Sequence, residues 1–459
     1  CIYFIFSPIC AILMIQEVYH MIDSHELRRR DSYLNKLIGF QDTEPVKVIT
    51  GIRRCGKSSL LKLMVQHLKD TGVLPEQIIE MNFESFDFHK MSADDVYRYV
   101  KERIIAGKRM YLFFDELQRI KAWEDAVNAF RVDFDCDIYV TGSNAYLLSS
   151  EYATYLSGRC VEIKMLPLSF REFLDFHGFD VRETQSALGG LRKQVFDKNN
   201  ERYELREVFA AYMRFGGMPG IADVGLEQEK VLALLDGIYS TVVIRDILER
   251  ETRRGQKQIT DPALLRKIIL FLADNIGSSV SIASIGNTLV NEGLLDDGKR
   301  KGTPSAHTVQ AYVNALLESY FFYEIKRFDI KGKAYLRTLG KYYIVDIGLR
   351  NYLLGFRNRD SGHAIENVVY FELLRRGYDV AIGKIGNDEV DFIATTADEK
   401  KYIQVTESMM SEDVRKRELA PLQSIRDNYE KIVLSLEPGL DTSYDGIKSE
   451  NLIDWLLNE

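Results

Sequence analysis

Residues 46–68 constrain this chain more than any other stretch. The β-branched run at 46–50 breaks at Gly51, and from Ser58 to Leu68 leucines and a methionine recur at helical spacing. Between them stands GIRRCGKS, the pattern GxxxxGK[ST] in a strand-loop-helix setting. Its glycines let the backbone curl until several N–H groups face one point, and the dipole of the following helix favours an anion there. Such a loop cradles phosphate. Gly51, Ile52, Arg53, Arg54, Cys55, Gly56, Lys57, Ser58 and Ser59 are therefore the candidate nucleotide-binding residues. Lys57 would meet the β and γ phosphates and Ser58 would hold Mg2+.

A chance match in a surface loop is the alternative, so the motif needs partners. Residues 110–116, MYLFFDE, run five apolar residues into two carboxylates. A buried strand ending this way puts Asp115 beside the magnesium and Glu116 where it can polarise water. A second apolar strand, DIYVT at 137–141, ends in GSN, and Asn144 is suited to orienting the same water. Cys55 is expected to fill the loop as a small residue, although a thiol in an electropositive loop is also a candidate for oxidation sensitivity.

The rest of the composition excludes other classes. The 459 residues allow two to four domains. With 46% hydrophobic and 28% charged residues and nine prolines there is little room for disorder. A net charge of -8 argues against a generally basic nucleic-acid coat. The five scattered cysteines form no CxxC pair and read as reduced thiols of a cytoplasmic protein. The apolar opening, CIYFIFSPICAILMI, is shorter than the roughly 20 residues of a membrane helix and is interrupted by Pro8, so no stable membrane association is expected. The chain opens on Cys1, and Met21 is the expected natural start, with Met14 as the alternative.

The phosphate loop, the Asp115-Glu116 strand end and the sensor-like Asn144 together resemble the AAA+ branch of P-loop ATPases. The resemblance implies a parallel α/β sheet covered by a helical lid. It also implies an arginine finger just before the strand VEIKMLPL, which makes Arg159 a candidate to reach a neighbouring subunit's γ-phosphate in a homo-oligomer; a local salt bridge is the competing role. Within the lid, RFGGMPG at 214–220 signals a sharp bend and not a second phosphate site, because no strand feeds it. Arg245 is either a second nucleotide sensor or half of an ion pair between helices.

From about residue 261 three helical runs precede an alternating strand pair, the pattern of a winged helix-turn-helix. Ser305, His307, Thr308 and Gln310 open its third helix, and Lys331 and Lys333 at the ribbon tip are candidate DNA-phosphate contacts. Protein contact is the other use of such a module. The last segment resembles the restriction-endonuclease-like core, whose acidic residues bind Mg2+. Glu366 and Asp391 match its first two positions, but Gln404 and Thr406 stand where a carboxylate and a lysine belong. An amide cannot replace the charge, so Glu366, Asp391 and Gln404 are expected to be a vestigial nuclease site kept for binding or regulation.

The order of these parts, with ITGIRRCGKSSLL, KYYIVDIGLRN and HAIENVVYFELLRRGYDV, is similar to a prokaryotic family of AAA-type ATPases with a C-terminal domain of unknown function. The expected organisation is an apolar extension at 1–20, an AAA+ core at 21–170, a helical lid at 171–255, a winged helix at 256–345 and a nuclease-like domain at 346–459. The expected activity is Mg2+-dependent ATP hydrolysis coupled to double-stranded DNA or a DNA-bound complex. A nucleotide-switched scaffold for a protein partner and an ATP-regulated nuclease are the alternatives.

Overall fold

The computed structural model describes residues 27–143, 158–185, 191–249, 259, 261–291, 304–357, 361–438 and 442–458. The expected extension at 1–20 and the candidate Asn144 lie outside these residues.

Five strands form the first sheet: β1 (Val46–Thr50), β2 (Ile78–Asn82), β3 (Met110–Asp115), β4 (Cys136–Gly142) and β5 (Cys160–Lys164). Their order is β2-β3-β4-β1-β5, and all neighbours are parallel. β1 and β3 are buried along their whole length because helices cover both faces. Alternation assigns the faces: Val46, Val48, Leu112 and Phe114 meet one apolar cluster, whereas Ile49, Tyr111 and Phe113 meet another beneath helix Lys57–Asp70. The parallel order brings the C-terminal ends of β1, β3 and β4 to one edge. That edge carries the phosphate loop, Asp115-Glu116 and Ser143.

The stretch expected to be a helical lid is only partly helical. Between helices Phe170–His177 and Leu205–Phe215 it holds an antiparallel sheet of β6 (Asp180–Gln185), β7 (Leu191–Phe196) and β8 (Arg202–Tyr203). Sequence reading missed it because β6 carries a single apolar residue, Val181, so no apolar period of two marks it. Helix Gln228–Thr241 then continues into Val242–Glu249, which is wound more widely as a π-helix.

RFGGMPG is a joint. Gly216 has φ 83°, and a Cβ there would lie 2.2 Å from Asp346 Oδ1. The Gly217 amide donates to Asp346 Oδ2 at 2.6 Å, and its carbonyl accepts from Leu168 N at 2.7 Å. Asp346 also caps helix Ile347–Leu354 through the Leu349 amide. The two glycine-containing motifs thus dock on one carboxylate.

Beyond residue 261, helices Pro262–Asp274, Ile282–Asn291 and Ala306–Glu318 precede a ribbon of β10 (Phe322–Asp329) and β11 (Ala334–Ile344), after the short β9 (Ser279–Val280) between the first two helices. The ribbon is not free-standing. β10 pairs in parallel with β12 (Asp379–Ile385), so strand pairing crosses the expected boundary at 345–346. With β13 (Asp388–Thr395), β14 (Lys400–Ser408), β15 (Glu430–Glu437), β16 (Ser443–Tyr444) and β17 (Ile447–Asn451) the sheet has nine strands, in the order β16-β17-β15-β14-β13-β12-β10-β11-β9. The apolar cluster under helix Lys57–Asp70 runs on without a break into helix Ser361–Arg375.

Candidate functional site

Gly51 has φ 141°, and a Cβ there would lie 2.1 Å from the Met165 carbonyl oxygen. Gly56 is left-handed at φ 103°, so both glycines are required by the shape of the turn. Lys57 Nζ bends back across the loop and donates to the carbonyls of Gly51 at 2.9 Å and Ile52 at 3.0 Å, which spans the loop's mouth. Ser58 and Ser59 stand at the start of helix Lys57–Asp70, where backbone N–H groups have no partner within the helix; both are exposed, whereas Lys57 is buried. Cys55 is fully buried, so it fills the loop and is out of reach of a peroxide. Arg30 donates to its carbonyl at 3.0 Å and pairs with Glu172 at 2.7 Å, fixing the loop from below.

Asp115 and Glu116 lie buried at the end of β3. Thr141 Oγ1, on β4, donates to Asp115 Oδ1 at 2.5 Å, and Asn82 Nδ2 donates to Asp115 Oδ2 at 3.0 Å. Each carboxylate oxygen keeps a lone pair for a cation or its water. Glu116 sits at φ 57°, a conformation that costs a non-glycine residue free energy. Its amide donates to Thr141 Oγ1 at 3.0 Å, and Gln118 Nε2 and Ser143 Oγ reach its Oε2 at 2.6 and 3.4 Å. Arg53 is drawn the same way. Its Nε donates to both oxygens of Asp246 at 2.7 and 2.9 Å, and its guanidinium lies 3.3 Å from Glu84 and 3.8 Å from Glu116. Burial would weaken the proton affinity of Arg53, but Asp246 and Glu116 outweigh it and strengthen it. Burial also lifts Asp246 above the usual carboxylate range, and Arg53 offsets this only in part.

A cavity of about 380 Å³ opens from Gly56 and Ser59. Leu60, Leu63, Met165, Phe176 and Pro219 form its apolar walls, with Arg28 and Asp223 at the rim, 3.6 Å apart. The RFGGMPG turn therefore contributes Pro219 to the edge of the phosphate loop.

Other sequence-predicted residues are dispersed. Arg159 is exposed, and its carbonyl accepts from Val46 N at 2.9 Å. That places it at the opposite end of β1 from Gly51, about 16 Å away at roughly 3.3 Å per residue. The side chain of Arg245 lies outside the description. Lys331 and Lys333 are exposed at the ribbon tip beside Tyr335. Ser305 caps helix Ala306–Glu318 by accepting from Thr308 N at 3.0 Å, so the cap occupies two of the four polar groups expected to face outward there.

The C-terminal acidic residues do converge. Lys341, on β11, is buried and contacts Glu366 at 3.0 Å and Glu389 at 2.8 Å. Tyr343 also donates to Glu366. Asp391 accepts from Val405 N at 2.9 Å, and Gln404 Nε2 donates to Glu418 at 3.0 Å. Burial and Glu366 push the Asp391 carboxyl well above its ordinary range, with Lys341 pulling the other way. Among the described residues no group of three or more His, Cys, Asp or Glu side chains is arranged to hold a metal ion. No helix among them is long and apolar enough to cross a membrane.

Thr141, Ser143, Asn82, Gln118, Asp246 and Lys341 were missed by the sequence reading. Only the first two carried a signal, the polar TGS following the apolar DIYV.

Residues 43–174 match a family described as an AAA domain, and residues 206–360 match one described as a domain of unknown function. An uncharacterized protein of Haemophilus influenzae is 39% identical over 432 residues, covering 93% of this chain and 98% of that protein. An uncharacterized protein of Methanocaldococcus jannaschii is 30% identical over 434 residues, covering 93% and 87%. The structure of the Walker-type ATPase of Pyrococcus abyssi is similar at a TM-score of 0.44 and 16% identity, covering 71% of this chain and 95% of that one. The parallel sheet with its phosphate loop and the two relatives lead to one statement: this chain, in which an AAA-type P-loop ATPase domain precedes a domain of unknown function, belongs to the family of those Haemophilus and Methanocaldococcus proteins.

Proposed function

We propose that this chain is a Mg-ATP-dependent ATPase whose C-terminal half acts on DNA or a DNA-bound complex. The observation that carries the first part is the convergence of Lys57, Ser58, Asp115 and Glu116 at one sheet edge, with Thr141 tying the Asp115 carboxylate to the Glu116 backbone amide. The glycines supply a cradle that a Cβ would fill, and Ser58 and Asp115 form a hard oxygen pair suited to Mg2+, which would neutralise phosphate charge when bound. Lys57 would leave the Gly51 and Ile52 carbonyls for phosphate oxygens. Glu116 would orient and deprotonate the attacking water, with Ser143 and Gln118 holding its carboxylate and Asn144 completing the set. The apolar cavity beyond Ser59 has the size and lining for a base and sugar. Arg159, at the far end of β1 from the phosphate loop, would as an arginine finger serve a neighbouring copy's site in a homo-oligomer; a local salt bridge is its other role.

The exposed Lys331, Lys333 and Tyr335 support contact with double-stranded DNA: the ammonium groups suit backbone phosphates and the aromatic face suits a sugar. The three helices and ribbon follow winged-helix order, and the domains are read as 21–170, 171–255, 256–345 and 346–459, with the last two acting as one body through β10 and β12. Nuclease activity is disfavoured because Lys341 and Tyr343 already donate to Glu366.

The deciding experiment combines two variants. Lys57→Ala should lose nucleotide binding, whereas Glu116→Gln should bind Mg-ATP and stall. Turnover by Glu116→Gln at the unaltered rate would sink the assigned base. The stalled form, used as bait for duplex DNA and for proteins, separates the DNA reading from that of a nucleotide-switched scaffold.

A further inference from the structure

We infer that Arg53 is the residue through which this site senses a triphosphate: it exchanges the Asp246 carboxylate for the terminal phosphate and so releases helix Val242–Glu249. The inference rests on the nucleotide-binding reading above and deepens it.

Arg53 stands two residues beyond Gly51, within the loop that would wrap the phosphates. Its guanidinium lies between Glu116, at the water-activating position, and Asp246, on a helix 193 residues further along the chain. With Glu84, three carboxylates surround this one cation. A terminal phosphate arriving beside Glu116 would bring further negative charge into a site already rich in it. Among the described residues Arg53 is a guanidinium that already reaches Glu116, and its planar fork suits two phosphate oxygens as well as the two carboxylate oxygens it now holds. A diphosphate held by the loop's N–H groups would lack the third phosphate that faces Glu116, so the competition with Asp246 would begin only with a triphosphate.

The cost of the exchange falls on Asp246. It is buried beside the fully buried Ile247 and Val242, and without Arg53 an ionised carboxylate there has lost its counter-charge. The segment must move or Asp246 must take up a proton. Val242–Glu249 is wound as a π-helix, a less stable form than the α-helix it continues, which lowers the barrier to rearrangement. Arg54 faces the helix that leads into this segment: a Cβ at Gly237 would lie 3.7 Å from its Nη1. The joint at Asp346 and the helices after residue 261 follow along the chain, so loss of one ion pair can pass from the phosphate loop to the C-terminal half.

The test is equilibrium binding of ADP and of a non-hydrolysable ATP analogue, both with Mg2+, to the full chain and to Arg53→Gln, Asp246→Asn, their double variant and Lys57→Ala. Asp246→Asn removes the competitor and should tighten the triphosphate by about fivefold or more while leaving ADP within about twofold. Arg53→Gln should lose a similar factor of triphosphate-over-diphosphate preference, and adding Asp246→Asn to it should change nothing further. Equal shifts for both nucleotides in Asp246→Asn, or an intact preference in Arg53→Gln, would overturn the exchange and leave a purely structural clamp. If Asp246→Asn fails to fold, Arg53→Gln, a change in the loop, decides alone. Lys57→Ala binding as tightly as the unaltered chain would overturn the site and the exchange together; loss of binding there with an unchanged preference in Arg53→Gln would overturn the exchange only.

Discussion

Thr141 Oγ1 gives its proton to Asp115 at 2.5 Å and receives the amide of Glu116 at 3.0 Å. One hydroxyl on β4 therefore holds the Asp115 carboxylate, proposed to face the metal, and fixes the strained backbone of Glu116, proposed to face the water. Thr141→Val keeps the shape and removes both bonds, each worth about 1–3 kcal/mol when a buried partner is left unsatisfied. ATP hydrolysis should fall by about 10- to 100-fold while nucleotide affinity changes by less than about threefold, and Thr141→Ser should restore most of the rate. Phosphate release under single-turnover conditions measures the rate, and equilibrium nucleotide titration the affinity.

The Asp346 joint should show itself in the pH dependence of stability. Burial pushes this carboxyl up to about 6, against which the amides of Gly217, Leu349 and Gly348 pull down. Because the folded state holds the proton more tightly than the unfolded chain, stability is greatest below about pH 4 for this group and falls as pH rises to about 6, by about 3 kcal/mol at 1.4 kcal/mol per unit. Asp346→Asn should flatten that part of the curve in chemical denaturation. Asp346→Ala leaves the Gly217 and Leu349 amides without their acceptor and should cost about 2–4 kcal/mol at pH 7.

Lys341 is the counter-charge for Glu366 and Glu389. Lys341→Met leaves buried carboxylates uncompensated and should destabilise the chain by about 3–5 kcal/mol. Because Asp391 already holds its proton tightly, the cluster can neutralise itself in acid, so the loss should be smaller at pH 5 than at pH 8. Thermal melts across that range check it. The unaltered chain should leave duplex DNA uncut in Mg2+.

DNA binding through the ribbon tip would be electrostatic. Replacing Lys331 and Lys333 together by glutamine should weaken duplex affinity without regard to base sequence. The slope of log affinity against log salt should become shallower by about 2, close to 0.9 for each phosphate that is no longer neutralised. An unchanged slope would shift the reading to a protein partner.

The local elements of this site were legible because they are contiguous. GIRRCGKS encodes its own turn through Gly51 and Gly56, and the helix after it through residues 58–68. MYLFFDE marks a buried strand by its apolar run and the strand's end by its carboxylates. The β6–β7–β8 sheet escaped notice because it buries little besides Val195, too few apolar positions to show an alternation. The merging of the ribbon into the nine-stranded sheet escaped for another reason: β10 and β12 pair across about fifty residues of intervening strand, helix and loop, and nothing in either strand names its partner.

Sequence by itself determined that this chain holds a phosphate loop and an apolar strand that ends in two carboxylates. Tertiary structure decided what those residues do to one another. Arg53 answers to Asp246 from 193 residues away, Thr141 joins Asp115 to Glu116, and Lys341 reaches Glu366 from another element. The physical reason is that backbone conformation follows from nearest neighbours, whereas the sign and strength of an ion pair depend on distance through space, which no spacing along the chain records.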